Sequence, residues 1–163
     1  MQHNPNELLK ILLDNDFEFV IIGGVAALIH GSSQVTRDLD ICIRMTPDEI
    51  VKLRECLKSL HPKHRMTPQK LSFINNPADN LSRIKNLYIQ TDAGIIDILS
   101  EVAAIGEYAA VEKNAITVKL FQKDCKVMSI NDLIKSKQAL GRDKDLFVVK
   151  ELKVIQEKQK HSK

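Results

Sequence analysis

The chain has 163 residues, 44% of them hydrophobic and 28% charged, which suits one compact domain and leaves little room for two. Six glycines, five prolines and no Ser-, Gln- or Pro-rich stretch exclude a linker-rich or disordered chain. A balance of 24 basic against 21 acidic residues leaves +3, which permits a polyanionic partner without requiring one, while 4% aromatic content and no Trp argue against a base-stacking platform.

The longest apolar runs, Phe19 to Ile22 and Val25 to Ile29, are interrupted by Gly23-Gly24 and closed by His30, far short of the roughly 20 residues of a membrane span. No basic region precedes an apolar core at the N-terminus, so neither a signal nor a transit peptide is expected, and the reading is of a cytoplasmic protein without a membrane partner. Cys42, Cys56 and Cys125 are too far apart and too few for a disulfide framework or a zinc site, and read as buried apolar residues.

In chain order, Asn6 to Asp14 places Leu8, Leu9, Leu12 and Leu13 at helical spacing behind an Asn6 cap, which predicts a short amphipathic helix. Phe17 to Ile22 reads as a buried strand ended by Gly23-Gly24, and Val25 to His30 as a brief helix broken by Gly31-Ser32-Ser33. Leu39, Ile41 and Ile43 alternate with Asp38, Asp40 and Cys42, the period of a strand with one apolar and one polar face. Thr46-Pro47-Asp48-Glu49 is a helix start, with Ile50, Leu53 and Leu57 as the apolar stripe of a helix reaching about Leu60.

From His61 to Asn80 the pattern weakens into Pro, Asn, Lys and His, which predicts a mobile loop or an irregular excursion. Ile84 to Thr91 and Ile95 to Leu99 predict a hairpin across Thr91-Asp92-Ala93-Gly94. Ile105 to Val111 reads as helical, Ile116 to Leu120 and Lys126 to Met128 as short strands, and Asn131 to Leu140 and Lys144 to Lys158 as closing helices. The fold class is therefore α/β of the α+β kind, with a mixed, mostly antiparallel sheet in a single domain over 1–163, its core at about 6–128 and C-terminal helices at about 129–160.

Asp38 and Asp40 stand at i and i+2 on a strand, so both carboxylates leave one face and can share a hard divalent cation. Chance alone yields roughly three such acid-x-acid pairs in a chain of this composition, and Asp14/Asp16, Asp16/Glu18 and Asp143/Asp145 are others. Context separates the first pair: it lies on an apolar strand after a glycine turn, where a carboxylate needs a partner or a cation. Gly23-Gly24 opens a helix and leaves backbone N–H groups free to meet a phosphate. Asp97 alternates with Ile96 and Ile98 in the second hairpin arm and can complete a three-acid site; its plainer reading is a paired structural acid. His30 reads as a packed or capping residue rather than a base.

The segments Gly23-Gly24-x-Ala26, His30-Gly31 and Thr36-Arg37-Asp38-Leu39-Asp40-Ile41 resemble the signature of the DNA polymerase β-type nucleotidyltransferase superfamily. The branch resembled is the minimal one of AbiEii/AbiGii toxin-like and toxin–antitoxin nucleotidyltransferases, whose C-terminal helices are similar to Ser129 to Ile134, Lys137, Gly141-Arg142 and Lys144-Asp145. The resemblance implies that fold, with helices packed on one face of the sheet. It also implies transfer of a nucleoside monophosphate from an NTP to an acceptor hydroxyl. Carried over, Asp38, Asp40 and Asp97 hold two Mg²⁺ ions, or Mn²⁺, and carry catalysis; Gly23 and Gly24, with Arg37, Lys137 and Arg142, bind the nucleotide. Many active members have Gly-Ser where this chain has Gly23-Gly24, which removes a hydroxyl from the phosphate site.

The acceptor is left open, with tRNA or a partner protein favoured over a small molecule by the basic C-terminal helices and the apolar N-terminal helix, which also leaves room for a homodimer. The alternative is a catalytically weak or inactive module that keeps the fold and acts as an antitoxin or interaction partner. The enzymatic expectation requires the three aspartates to converge beside the glycine bend; a salt bridge plugging that space would leave only the scaffold.

Overall fold

A computed structural model of the chain describes residues 5–74 and 78–162. Met1 to Asn4, Asn75 to Pro77 and Lys163, on which parts of the N-terminal, loop and basic-tail readings fall, lie outside the described residues. Helix α1 (Pro5–Asp14) buries the four leucines of its stripe. Strand β1 (Val20–Ile22) is shorter than its apolar run, because Phe17 and Phe19 are buried without joining the ladder. Helix α2 (Gly23–Ile29) starts on the glycine pair itself, and β2 (Leu39–Cys42) follows an extended segment. Helix α3 (Pro47–Leu57) is capped by the Thr46 hydroxyl, which accepts from the Glu49 N–H at 3.2 Å, a contact worth about 1 kcal/mol. A 3₁₀ turn, Lys58–Leu60, ends it.

The segment expected to be loose is partly built into the sheet. Strand β3 (Lys63–His64) pairs with β4 (Asn86–Thr91), and Lys63 bridges back to Ser72. Phe73 is fully buried, with the His64 ring edge-on at 5.6 Å and the Arg54 guanidinium 5.1 Å over its face. A second 3₁₀ turn, Ala78–Arg83, then leads into β4. The predicted hairpin is β4 with β5 (Gly94–Leu99). A small second hairpin, β6 (Glu101–Val102) with β7 (Gly106–Glu107), takes the place of the helix start expected at Ile105, so α4 spans only Tyr108–Lys113. Strands β8 (Ile116–Leu120) and β9 (Lys123–Val127) are joined by Phe121-Gln122, and α5 (Ile130–Leu140) and α6 (Asp143–His161) close the chain.

The main sheet has the order β3-β4-β5-β2-β1-β9-β8. Its pairs are antiparallel except β2 with β5 and β1 with β9. Alternation puts Leu39, Ile41, Leu87, Ile89, Ile96 and Ile98 on one face, where they join Leu8 and Leu12 of α1 and Ile50, Leu53 and Leu57 of α3 in the core. The opposite face carries Asp40, Asp97 and Tyr88.

Two long-range tethers fix the segment between α2 and β2. His30, the C-cap of α2, donates from Nε2 to the Met128 carbonyl at 2.8 Å, which gives this histidine a packing role. Glu151 of α6 accepts from Ser32 Oγ at 2.7 Å, from the Ser33 N–H at 3.1 Å and from Ser33 Oγ. All three cysteines are buried thiols. Among the described residues no helix is long and apolar enough to cross a membrane.

Candidate active site

Asp40 lies between two strands: its Cα pairs with Ile22 of β1 and with Asp97 of β5. Residues in register on neighbouring strands project to the same side, so the Asp40 and Asp97 side chains stand together. Asp38 stands in the bend just before β2, near enough for its charge to act on Asp40. Gly23 closes the third side. With φ +65° it takes a left-handed conformation, and a Cβ there would meet Asp40 Oδ2 at 2.5 Å, so only glycine lets the turn lie against the carboxylate. A Cβ on Gly24 would come within 2.9 Å of Thr36 Oγ1. The second glycine is thus explained by the threonine that fills its side, and Thr36 in turn donates to the Asp38 carbonyl at 3.3 Å.

Crowding of carboxylates shows in their chemistry. Burial, reinforced by the charges of Asp97 and Asp38, pushes the Asp40 carboxyl up to about 6, against the opposing pull of Lys137 and Arg65. Asp97 is paired. Arg65 donates from Nε at 3.2 Å and from Nη2 at 3.0 Å to its Oδ1, and from Nη2 at 2.9 Å to its Oδ2. The same guanidinium lies 5.3 Å over the Tyr88 ring, and Tyr88 is the register neighbour of Asp97 on β4. Residue 65 stands in the segment read as a loop, and no periodicity or motif in the sequence marks it.

On the other flank, α5 and α6 bring Lys137, Arg142 and Asp145 together. Arg142 donates from Nε to Asp145 Oδ2 at 2.6 Å and from Nη2 to Oδ1 at 3.1 Å, and Lys137 Nζ lies 3.8 Å from Oδ1. Asp145 is only 2% exposed, and the Arg142 guanidinium holds its carboxyl below the usual range despite that burial. Burial lowers the Lys137 ammonium, with Asp145 and Asp40 pulling back. Both cations belong to Asp145 first and reach Asp40 only through the field. Arg37 is exposed in the segment before β2.

Asp38, in the bend before β2, and Asp40, on the strand, are hard oxygen donors close enough to act on each other electrostatically, and Asp40 is held protonated more readily than a free carboxyl, so this pair fits a divalent cation of the Mg²⁺ type. Of the expected trio, Asp40 and Asp97 are in register and Asp38 lies outside the ladder, and the Arg65 salt bridge covers both oxygens of Asp97, the kind of closure that the sequence reading set against an enzyme. As the side chains stand, no three acidic, His or Cys residues among those described are gathered so as to hold a metal ion. Concave regions of about 440 Å³ beside Phe19 and Lys126, and of about 460 Å³ beside Arg44 and Ile84, include none of these residues.

No protein-family model and no curated protein matches the sequence. Among solved structures, the chain is similar to the crystal structure of the lincosamide antibiotic adenylyltransferase LnuA with lincomycin bound. The TM-score is 0.56 and the identity 14%, over 91% of this chain and 94% of that one. At that identity the likeness establishes the fold: the chain has the nucleotidyltransferase fold.

Proposed function

We propose that the chain is a nucleotidyltransferase that moves a nucleoside monophosphate from an NTP to an acceptor hydroxyl, releasing pyrophosphate. The observation that carries this reading is the register of Asp40 with Asp97 across β2 and β5, with the Asp38 charge acting on Asp40 and the Gly23 backbone against it. Asp38 and Asp40 would hold Mg²⁺ or Mn²⁺, which when bound offsets the charge of the triphosphate and acidifies the acceptor hydroxyl. Asp97 stands where it can complete the acidic side and take the acceptor's proton once its guanidinium partner moves. Gly23 keeps a side chain away from Asp40 and Gly24 leaves room for Thr36, so the backbone of the pair can approach the phosphates, while Lys137, Arg142 and the exposed Arg37 supply positive charge for them.

The acceptor we favour is RNA, tRNA in particular, or a partner protein in a toxin–antitoxin or phage-defence pair. The motif resemblance and the exposed Lys144, Lys150, Lys153, Lys158 and Lys160 of α6 support that choice. A small hydroxylated molecule is the third arm, since a lincosamide adenylyltransferase shares the fold. One observation favours a second reading, a nucleotide-binding module without turnover: the Arg65 pair on Asp97. Incubation with each α-labelled NTP and Mg²⁺, offering total RNA, lysate protein and a lincosamide in turn, separates the two. Label on an acceptor, lost in Asp40→Asn, supports the enzyme; nucleotide binding without label on any acceptor supports the module.

A further inference from the structure

Arg65 combines a fixed backbone with a long side chain. Its N–H donates to the Tyr88 carbonyl at 3.0 Å, next to β3. The turn after it is pinned by His64 N–H to the Leu71 carbonyl at 2.8 Å, by Thr67 Oγ1 to the His64 carbonyl at 3.1 Å, and by the buried Phe73. The guanidinium alone reaches over the acidic face, where its fork occupies both oxygens of Asp97. With Asp97 18% exposed and Arg65 27% exposed, solvent reaches the pair, so the contact can open without unpacking the core.

A cation taken up beside Asp40 must therefore either displace Arg65 to gain Asp97 as a ligand or do without Asp97. A displaced guanidinium stays over the same face, because its backbone is tied to the strand beside Asp97, and it then needs another anion. A polyphosphate arriving over Asp40 supplies that anion.

We propose that Arg65 is a specificity-determining residue of this site: it keeps Asp97 closed to a free divalent cation and yields it when a triphosphate arrives to take the guanidinium. The inference rests on the nucleotidyltransferase reading of the site. Its consequence is reciprocal coupling, in which cation and triphosphate each bind more tightly in the presence of the other, through Arg65.

The test is Mn²⁺ binding, followed by electron paramagnetic resonance, to the full chain and to Arg65→Met, Arg65→Lys, Asp97→Asn and Asp40→Asn. Each is measured alone and with the α,β-methylene analogues of the four NTPs. In the wild-type chain one of these analogues tightens Mn²⁺ binding by roughly tenfold or more. Arg65→Met binds Mn²⁺ alone more tightly than wild type by a similar factor, loses most of the coupling, and loses its gain when Asp97→Asn is added. Arg65→Lys keeps the charge without the fork, shifts the same way by a smaller factor, and serves if Arg65→Met does not fold. Equal Mn²⁺ affinity and equal coupling in wild type and the Arg65 variants, with Asp40→Asn abolishing binding, overturns the role of Arg65 and leaves the site reading standing. Absence of Mn²⁺ binding in every form, with and without analogue, overturns both.

Discussion

Asp40 is flanked by two arginine–aspartate forks that look alike and differ in what they hold. Arg142 and Asp145 are three residues apart at the start of α6, and the carboxylate is buried with Lys137 beside it. Arg65 and Asp97 are 32 residues apart, join the edge segment to β5, and remain open to water. The local fork closes a helix end and matches two cations to one buried charge, so it belongs to the fold. The distant fork ties up the carboxylate beside Asp40 while staying within reach of water, so it is the one poised to exchange partners.

Substitutions at the two aspartates should split these roles most sharply. Asp97→Asn is expected to lower nucleotidyl transfer by about 10² to 10⁴-fold, the range of a lost general base. Its unfolding free energy should change by less than about 1 kcal/mol, because a partly exposed ion pair is lost while repulsion with Asp40 is relieved. Asp145→Ala should do the reverse and cost about 3 kcal/mol in urea unfolding, since Lys137 is left buried without its carboxylate. Equal stability losses in the two variants would erase the distinction.

The pH dependence sharpens the same contrast from the middle. Asp40 titrates near 6 in the fold and near 3.8 when free, so the folded chain binds the extra proton between those values. Stability therefore falls as pH rises from about 4 to 6, and the penalty is complete above 6, at most about 3 kcal/mol. Asp40→Asn should remove this slope and be the more stable form at pH 7.5, as read by urea titrations at pH 4.5 and 7.5. Mg²⁺ should restore wild-type stability at the higher pH and leave Asp40→Asn unchanged. The smallest effect is expected at the turn. Gly24→Ser pushes its Cβ against Thr36 and should cost about 1 kcal/mol, recovered by adding Thr36→Ala, as thermal melts of the two forms will show.

The parts of the molecule written in short-range pattern were legible before the coordinates. The leucine stripe of α1, the Thr46 helix start, the hairpin over Thr91 to Gly94 and the Leu39/Ile41 alternation of β2 all appear where the spacing puts them, although Asp38 falls in a bend before that strand. What could not be read depends on partners far along the chain or on unusual backbone. Strand β3 has two residues and exists through β4 and Ser72; the β8–β9 turn uses Phe121 and Gln122 at φ 51° and 67° where glycine or asparagine would have signalled it. Arg65 stayed hidden for the first reason: only the pairing of β3 carries it over Asp97. Lys137 and Arg142 were named as phosphate contacts, and their shared hold on Asp145 emerges only when α5 meets α6.

The central strand β1 draws its parallel neighbour β9 from about a hundred residues downstream, and the segment leading into β2 is anchored by Glu151 near the chain's far end. During synthesis, the acidic face therefore has no finished border until α6 has cleared the ribosome. A nascent chain carries Asp38, Asp40 and Asp97 before β9 and Glu151 have been made, so the ordering of the acidic face waits on the translation of residues far downstream of the acids themselves.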